Sequence, residues 1–198
     1  KGHFNLQTNL VTTYDLTGSG GTVSALELAR SLARPEVQQN IATVVHEAAH
    51  QLANNCGLLR RWNDTPQWLN EGLAQYFETS YVLRGRLVTG DIQKQLLQHI
   101  QNLIRAGRAP SIAELIRLDK PAFYADAQRC YPAAWALAYF LLHRDNTRYA
   151  ESDMKRYFQD LKFGKDPVTS FAHRFGRDEK ALQAEFDRYI LNLKARFN

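Results

Sequence analysis

Apolar residues recur at intervals of three and four through most of the chain, as in "ALAYFLL" (136–142) and "LQAEFDRYILNL" (182–193). That is the period of helices with one buried face. The front differs: "HFNLQTNLVTTYDL" (3–16) alternates apolar and polar positions and is rich in Thr, Val and Tyr, which predicts one or two strands. "TGSGG" (17–21) reads as a turn or loop and lacks the Lys-Ser/Thr pair of a phosphate loop. A short helix is expected over "TVSALELARSLA" (22–33). Pro35 then suits the first position of a helix over 35–55, which Gly57 ends in a left-handed conformation. Thr65 and Pro66 pair as N-cap and first turn of a helix over "QWLNEGLAQYFETSYVL" (67–83). Further helices are predicted over 90–105, 111–117 behind Ser111, 130–143, 151–162, 166–175 and 178–196. The fold class is therefore α+β, with a small β-containing front (1–34), two central helices (35–80) and a helical body (90–198) in one domain.

Composition narrows the function classes. No apolar run reaches the roughly 18 residues that span a membrane. The net charge of +5 is spread over Arg60-Arg61, Arg84, Arg86, Lys155-Arg156, Arg174 and Arg177, interleaved with acids. A nucleic-acid reader concentrates such residues on one face, so no nucleic-acid partner is expected. Cys56 and Cys130 form no CxxC pair, which argues against a cysteine zinc site. The abrupt opening "KGHFNLQTNL" leads us to expect a trimmed N-terminus with further strands ahead of it.

Within the 35–55 helix, "VVHEAAHQLANN" (44–55) carries the candidate chemistry. Four residues advance a helix by about 400°, so the rings of His46 and His50 project one turn apart along one line. Both imidazoles then reach one tetrahedral metal at about 2.0–2.1 Å. Glu47 lies one step round, near a metal-bound water without ligating. The motif alone leaves two readings open, a metal site or two polar residues sharing a helix face, and a third ligand decides between them. The metzincin pattern would need Gly and His where Ala53 and Cys56 stand, and no cysteine precedes His46 as in peptide deformylases. Glu71, in "TPQWLNEGLAQYFE", follows His50 after residues 51–70, enough to finish one helix, turn and start another back past the metal. Two His and one Glu leave a fourth position open for water, as in catalytic zinc sites.

"HEAAH" followed by "WNDTPQWLNEGLAQYFE" resembles the gluzincin zinc metallopeptidases, with the aminopeptidase N and leukotriene A hydrolase group nearest. It also resembles an uncharacterised bacterial gluzincin-like family in which "YPAAWALAYFLL" and a C-terminal "FG-D" segment recur. The strong part of the match covers 46–78. The resemblance implies a zincin-like body and a peptidase acting on peptide or protein substrates, with zinc held by His46, His50 and Glu71. Glu47 would act as general base on a zinc-activated water and pass the proton to the leaving amine. The oxyanion donor would be Tyr131, sixty residues after Glu71 as in the aminopeptidase group, with Tyr139 as a second candidate partner. That group also carries a Gly-x-Met-Glu-Asn strand ahead of the zinc helix, where this chain has "GSGGTVSALE" (18–27), so aminopeptidase specificity is not implied. An exposed strand such as "NLVTTYDL" (9–16) suits an endopeptidase that pairs with extended substrate.

Second-sphere support is expected from Gln75, one turn beyond Glu71, with Asn70 and Glu78 on the helix surface. His3, His99, His143 and His173 read as surface or packing residues, and Trp62 and Trp68 as packing around the second zinc helix. Should Tyr131 face the metal, Cys56 and Cys130 would come within bonding reach. A bridge would add roughly 4 kcal/mol in the chain-entropy model and favour a periplasmic or secreted setting. The competing function is a zinc-stabilised, non-catalytic binding module or pseudo-peptidase.

Overall fold

A glycine with almost no room around it sets the architecture. In the computed structural model, which describes residues 2–12, 24, 26, 27, 30, 34–59, 65–144, 148–176 and 178–195, the helix that carries Gly72 packs at that residue directly against the helix of Ala134 and Ala138. The elements run β1 (His3–Asn5), β2 (Leu10–Thr12), α1 (Pro35–Asn55), α2 (Gln67–Glu78), β3 (Tyr81–Leu83) and β4 (Arg86–Val88). Then come α3 (Lys94–Arg105), α4 (Ile112–Leu115), α5 (Lys120–Ala125), α6 (Ala127–His143), α7 (Arg148–Lys162), α8 (Pro167–Phe175) and α9 (Glu179–Asn192). The described chain is mostly helical, with a small antiparallel sheet at the front. Among the described residues, no helix is long and apolar enough to cross a membrane.

Strands β1 and β2 pair with Phe4 opposite Val11. Asn5 Oδ1 accepts from the N–H groups of Gln7 and Thr8 in the turn. Residues 13–16 of the expected strand and most of the expected 22–33 helix lie outside the described residues. Pro35 opens α1. Gly57, at φ +71°, ends the helix region, and the Leu59 N–H reaches back to the Ala53 carbonyl at 2.9 Å.

Helix α2 departs from the sequence expectation at both ends. Pro66, not Thr65, holds the N-cap position, and its carbonyl accepts from Leu69 and Asn70. The helix stops at Glu78 because Tyr81–Leu83 and Arg86–Val88 pair as a hairpin instead of extending it. The two-residue turn places Arg84 at φ +50° and Gly85 at φ +74°, the left-handed pair that matches strand twist. Helix α5 was also unexpected. Its signal is the Asp119 cap, which accepts from the Ala122 N–H, with Pro121 in the first turn.

The core lies between α2 and α6. Ala133, Ala134, Ala136 and Ala138 are buried along α6 and keep its surface low. Gly72 fits against it so closely that an added Cβ would collide with the Ala134 carbonyl and stand 3.2 Å from Ala138 Cβ. Trp68, one turn before Gly72 on α2, is buried, stacked on Tyr157 at 6.2 Å and meeting the edge of Phe171 at 5.6 Å. Its role is packing, while Trp62 lies outside the described residues. Leu97, Ile100 and Leu103 of α3 and Leu182, Phe186 and Ile190 of α9 close the core from the other side. Gln101 staples these two helices, its Nε2 donating to the carbonyls of Ile190 and Leu193.

One buried acid ties α7 to α8. Asp160 receives Arg174 Nε at 2.6 Å and Lys165 Nζ at 2.7 Å. Arg174 first and Lys165 second hold its carboxyl down to about 2, against the opposing effect of burial.

Two outcomes follow from this packing. Gly72→Ala gains helix propensity of about 1 kcal/mol, yet overpacking against a helix backbone costs about 1–3 kcal/mol. The variant should therefore be less stable than wild type in urea unfolding, the opposite of the usual glycine-to-alanine result. Asp160 has a folded-state pKa below its unfolded value of about 3.9, so its stabilisation is full above that value and fades as pH falls toward about 2. Urea midpoints at pH 5 and pH 3 should differ more for wild type than for Asp160→Asn.

Candidate metal centre

Helix α1 presents His46 and His50 one turn apart, with ring centroids 4.7 Å from each other and planes at 81°. Helix α2 runs back past them and places Glu71 opposite. The ligating atoms of the three residues all lie within 4.8 Å of one another. His46 Nε2 is 3.1 Å from His50 Nε2 and 3.2 Å from Glu71 Oε2, and His50 Nε2 is 3.8 Å from that oxygen. Tetrahedral ligands at zinc-like bond lengths stand roughly 3.3 Å apart. The three separations bracket that value, so Glu71 stands close enough to both imidazoles for the three residues to share one ion.

The surrounding hydrogen bonds explain why these atoms converge. Glu78 Oε1 takes His46 Nδ1 at 2.6 Å, and Asn70 Oδ1 takes His50 Nδ1 at 3.1 Å. With both Nδ1 atoms donating, the tautomer leaves both Nε2 lone pairs facing inward. On Glu71, Oε1 accepts from the Tyr124 hydroxyl at 2.7 Å and from Gln67 Nε2 at 2.9 Å. Glu71 Oε2 is buried and accepts no hydrogen bond beyond its close contacts with the two imidazole Nε2 atoms. With both imidazoles neutral, three acceptor atoms would face one another, an arrangement that calls for a proton or a metal ion between them.

The titration behaviour reports the same need. Burial works against charge on His46, yet Glu71 and Glu78 outweigh it and lift the imidazole to about 9. His50 shifts the other way, because burial exceeds the pull of Glu71. Burial raises the Glu71 carboxyl, but His46, His50 and Tyr124 together hold it below the usual range. Either a proton or a metal ion can meet this demand, and two imidazoles with one carboxylate suit zinc and similar divalent ions.

A cavity of about 350 Å³ opens onto the triad, walled by Phe4 and Leu6 from the front and by Lys120, Tyr124 and Tyr131 from α5 and α6. Glu47 and Tyr131 both face it. Glu47 Oε2 accepts the Phe4 main-chain N–H at 2.6 Å, so β1 lies against the acid. Gly2 permits that approach: a Cβ there would stand 3.0 Å from Thr43 Cγ2 and 3.3 Å from Glu47 Cγ. Burial first, and then the charge of Glu71, push the phenol of Tyr131 well above its ordinary range, and the same two causes act on Tyr124. Both phenols are therefore hydrogen-bond donors at neutral pH. A larger, shallower hollow of about 860 Å³ beside Cys56, Leu142 and Phe158 gathers no acid or histidine among its described lining.

Several expectations need correction. Gln75 is buried but contacts neither histidine, and its Oε1 has no partner. The supporting residues are Glu78 and Asn70, which the sequence reading placed on the helix surface. Glu78 is two turns beyond Glu71 and returns to the same face of α2, and Gln93 Nε2 holds its second oxygen at 2.6 Å. Tyr124 and Gln67 were not anticipated. Gln67 is one turn before Glu71, a readable signal, while Tyr124 depends on the short helix α5. Tyr139 lies on His143 at 4.4 Å between ring centroids, away from the triad, and the Tyr76 hydroxyl meets His143 Nε2 at 3.0 Å. His143 is thus a packing residue, and His3, His99 and His173 are exposed. Cys56 is exposed and Cys130 buried, and both are free thiols. The bridge that would favour a periplasmic or secreted setting is not formed.

Residues 40–163 match the model of a family described as "Protein of unknown function (DUF1570)". The match covers more than half of the chain, so the chain belongs to that family. The matched stretch contains His46, Glu47, His50, Glu71, Tyr124 and Tyr131. Comparison with curated proteins and with solved structures yields no match.

Removing the outer support should loosen the triad's grip without unfolding the protein. Tyr124→Phe leaves Glu71 Oε1 one donor short, and loss of such outer contacts typically lowers metal affinity about 10- to 100-fold. Competition with a chromophoric zinc chelator should show a drop in that range, and unchanged affinity would mean that Gln67 alone fixes the carboxylate.

Proposed function

We propose that this member of the DUF1570 family is a zinc-dependent peptidase of the gluzincin type. The observation that carries the reading is the buried Glu71 Oε2 set 3.2 and 3.8 Å from two imidazole nitrogens, with a second acid, Glu47, outside the triad. The donor set fits zinc: His46, His50 and Glu71 would hold it, oriented by Glu78, Asn70 and Tyr124. When bound, the ion supplies Lewis-acid chemistry, polarising a water and the substrate carbonyl.

The chain's own residues supply the rest. Glu47 Oε2 is held by the Phe4 N–H, which orients the carboxylate and leaves Oε1 as the site that accepts a proton from the attacking water. Glu47 then returns that proton to the amine as the C–N bond breaks. The protonated phenol of Tyr131 donates to the oxygen that gains negative charge as the carbonyl is attacked. The walls contributed by β1 and α5 limit water access to the reacting atoms.

A second reading, a zinc-stabilised binding module or pseudo-peptidase, draws on one observation. The Phe4 N–H gives Glu47 a partner within the fold, so the acid has a structural role whether or not it handles protons.

Hydrolysis of a peptide library decides between the two. The peptidase reading expects cleavage that stops on chelation and returns with zinc. Glu47→Gln should then abolish cleavage while one equivalent of zinc stays bound, and Tyr131→Phe should lower kcat by about a hundredfold with metal affinity unchanged. Tightly held zinc with no cleavage of any peptide establishes the second reading.

A further inference from the structure

Lys120 is the one lysine or arginine among the described residues that line the metal-facing cavity. It makes no ion pair with any described acid. The two acids in the same wall are already engaged, Glu47 by the Phe4 N–H and Glu71 by Tyr124 and Gln67. Lys120 and Tyr124 stand four residues apart on α5 and so share one side of it. The ammonium lies 6.0 Å from the centre of the Tyr124 ring, whose hydroxyl rests on Glu71. The charge therefore sits within roughly 12 Å of the triad, the reach of about three extended residues at roughly 3.3 Å each.

From this placement we infer that Lys120 reads a carboxylate on the substrate, within about three residues of the bond that is cleaved. The inference rests on the peptidase reading and gives it a substrate class: peptides that bear an acid close to the scissile bond. Helix α5 then has two tasks, since Tyr124 steadies Glu71 and Lys120 selects what is laid across it. The carboxylate can come from an Asp or Glu side chain or from a free C-terminus, and both present the same group to the ammonium.

The test scans one glutamate through the positions flanking the cleaved bond of an otherwise neutral peptide, with the C-terminus free in one set and amidated in the other. The expected result is an acid-to-neutral ratio of kcat/KM of about fivefold at one position, the scale of a partly exposed charge pair. The preference should shrink as salt rises from roughly 0.05 to 0.5 M. It should fall to unity in Lys120→Gln and invert toward lysine-bearing peptides in Lys120→Glu. A preference confined to the free-acid set assigns the C-terminal carboxylate, and one that survives amidation assigns a side chain. A flat scan in wild type, or an acid preference undiminished in Lys120→Gln, overturns the inference while leaving chelator-sensitive cleavage, and with it the peptidase reading, intact. Should no peptide be cleaved, fluorescence anisotropy of the same labelled set on Glu47→Gln protein carries the test. Tighter binding of the acid-bearing peptides that needs Lys120 supports the inference, and equal binding of both sets overturns it.

Discussion

The closeness of α2 to α6 at Gly72 governs what the metal-facing end of the protein can be. Glu71 is the residue before that contact, and Tyr131 lies one turn before the Ala134 carbonyl that Gly72 touches. The separation between the buried carboxylate and the phenol is thus fixed by two backbones in van der Waals contact, not by flexible side chains. The run of alanines on α6 keeps its surface low, and the rings of Tyr157 and Phe171 hold Trp68, one turn before Gly72, against α7 and α8. Interiors packed to this density transmit small displacements instead of absorbing them.

The electrostatic arrangement follows from that rigidity. Three acceptor atoms are pressed together in a desolvated site, where leaving them bare is expensive. Each outer hydrogen bond removes one way of escaping the conflict. Glu78 and Asn70 prevent the imidazoles from turning their Nδ1 atoms inward, while Tyr124 and Gln67 prevent Glu71 from swinging its second oxygen into play. Glu71 and Glu78 beside His46 outweigh its burial and raise the affinity of its imidazole for a proton. Sites that orient their ligands before the ion arrives lose less entropy on binding it.

Much of this was legible in the sequence, for reasons that differ from residue to residue. His46, Glu47 and His50 could be placed because their relation is local, set by helical geometry. Glu71 followed because the intervening stretch has the length of one turn and one return. Glu78 and Asn70 were misjudged as surface because helical spacing shows which residues share a face of α2 but not which face meets α1. The hairpin at 81–88 was hidden by apolar residues that extend the α2 pattern, although the Arg84-Gly85 pair marks its turn. Tyr124 escaped notice because six residues of helix carry too little periodicity to be seen. Cys56 and Cys130 show the limit of reasoning from one assumed neighbour: Tyr131 faces the cavity, yet the two sulfurs remain unbridged.

The contact between β1 and Glu47 has a consequence for which substitutions this chain tolerates. Its donor belongs to the main chain at Phe4, and every amino acid except proline supplies that donor. The side chain at position 4 is therefore free to drift under selection for whatever lies above the cavity, while the acid beneath keeps its orientation. Diversity at the rim and constancy at the floor are compatible in this design, because one is written in side chains and the other in backbone.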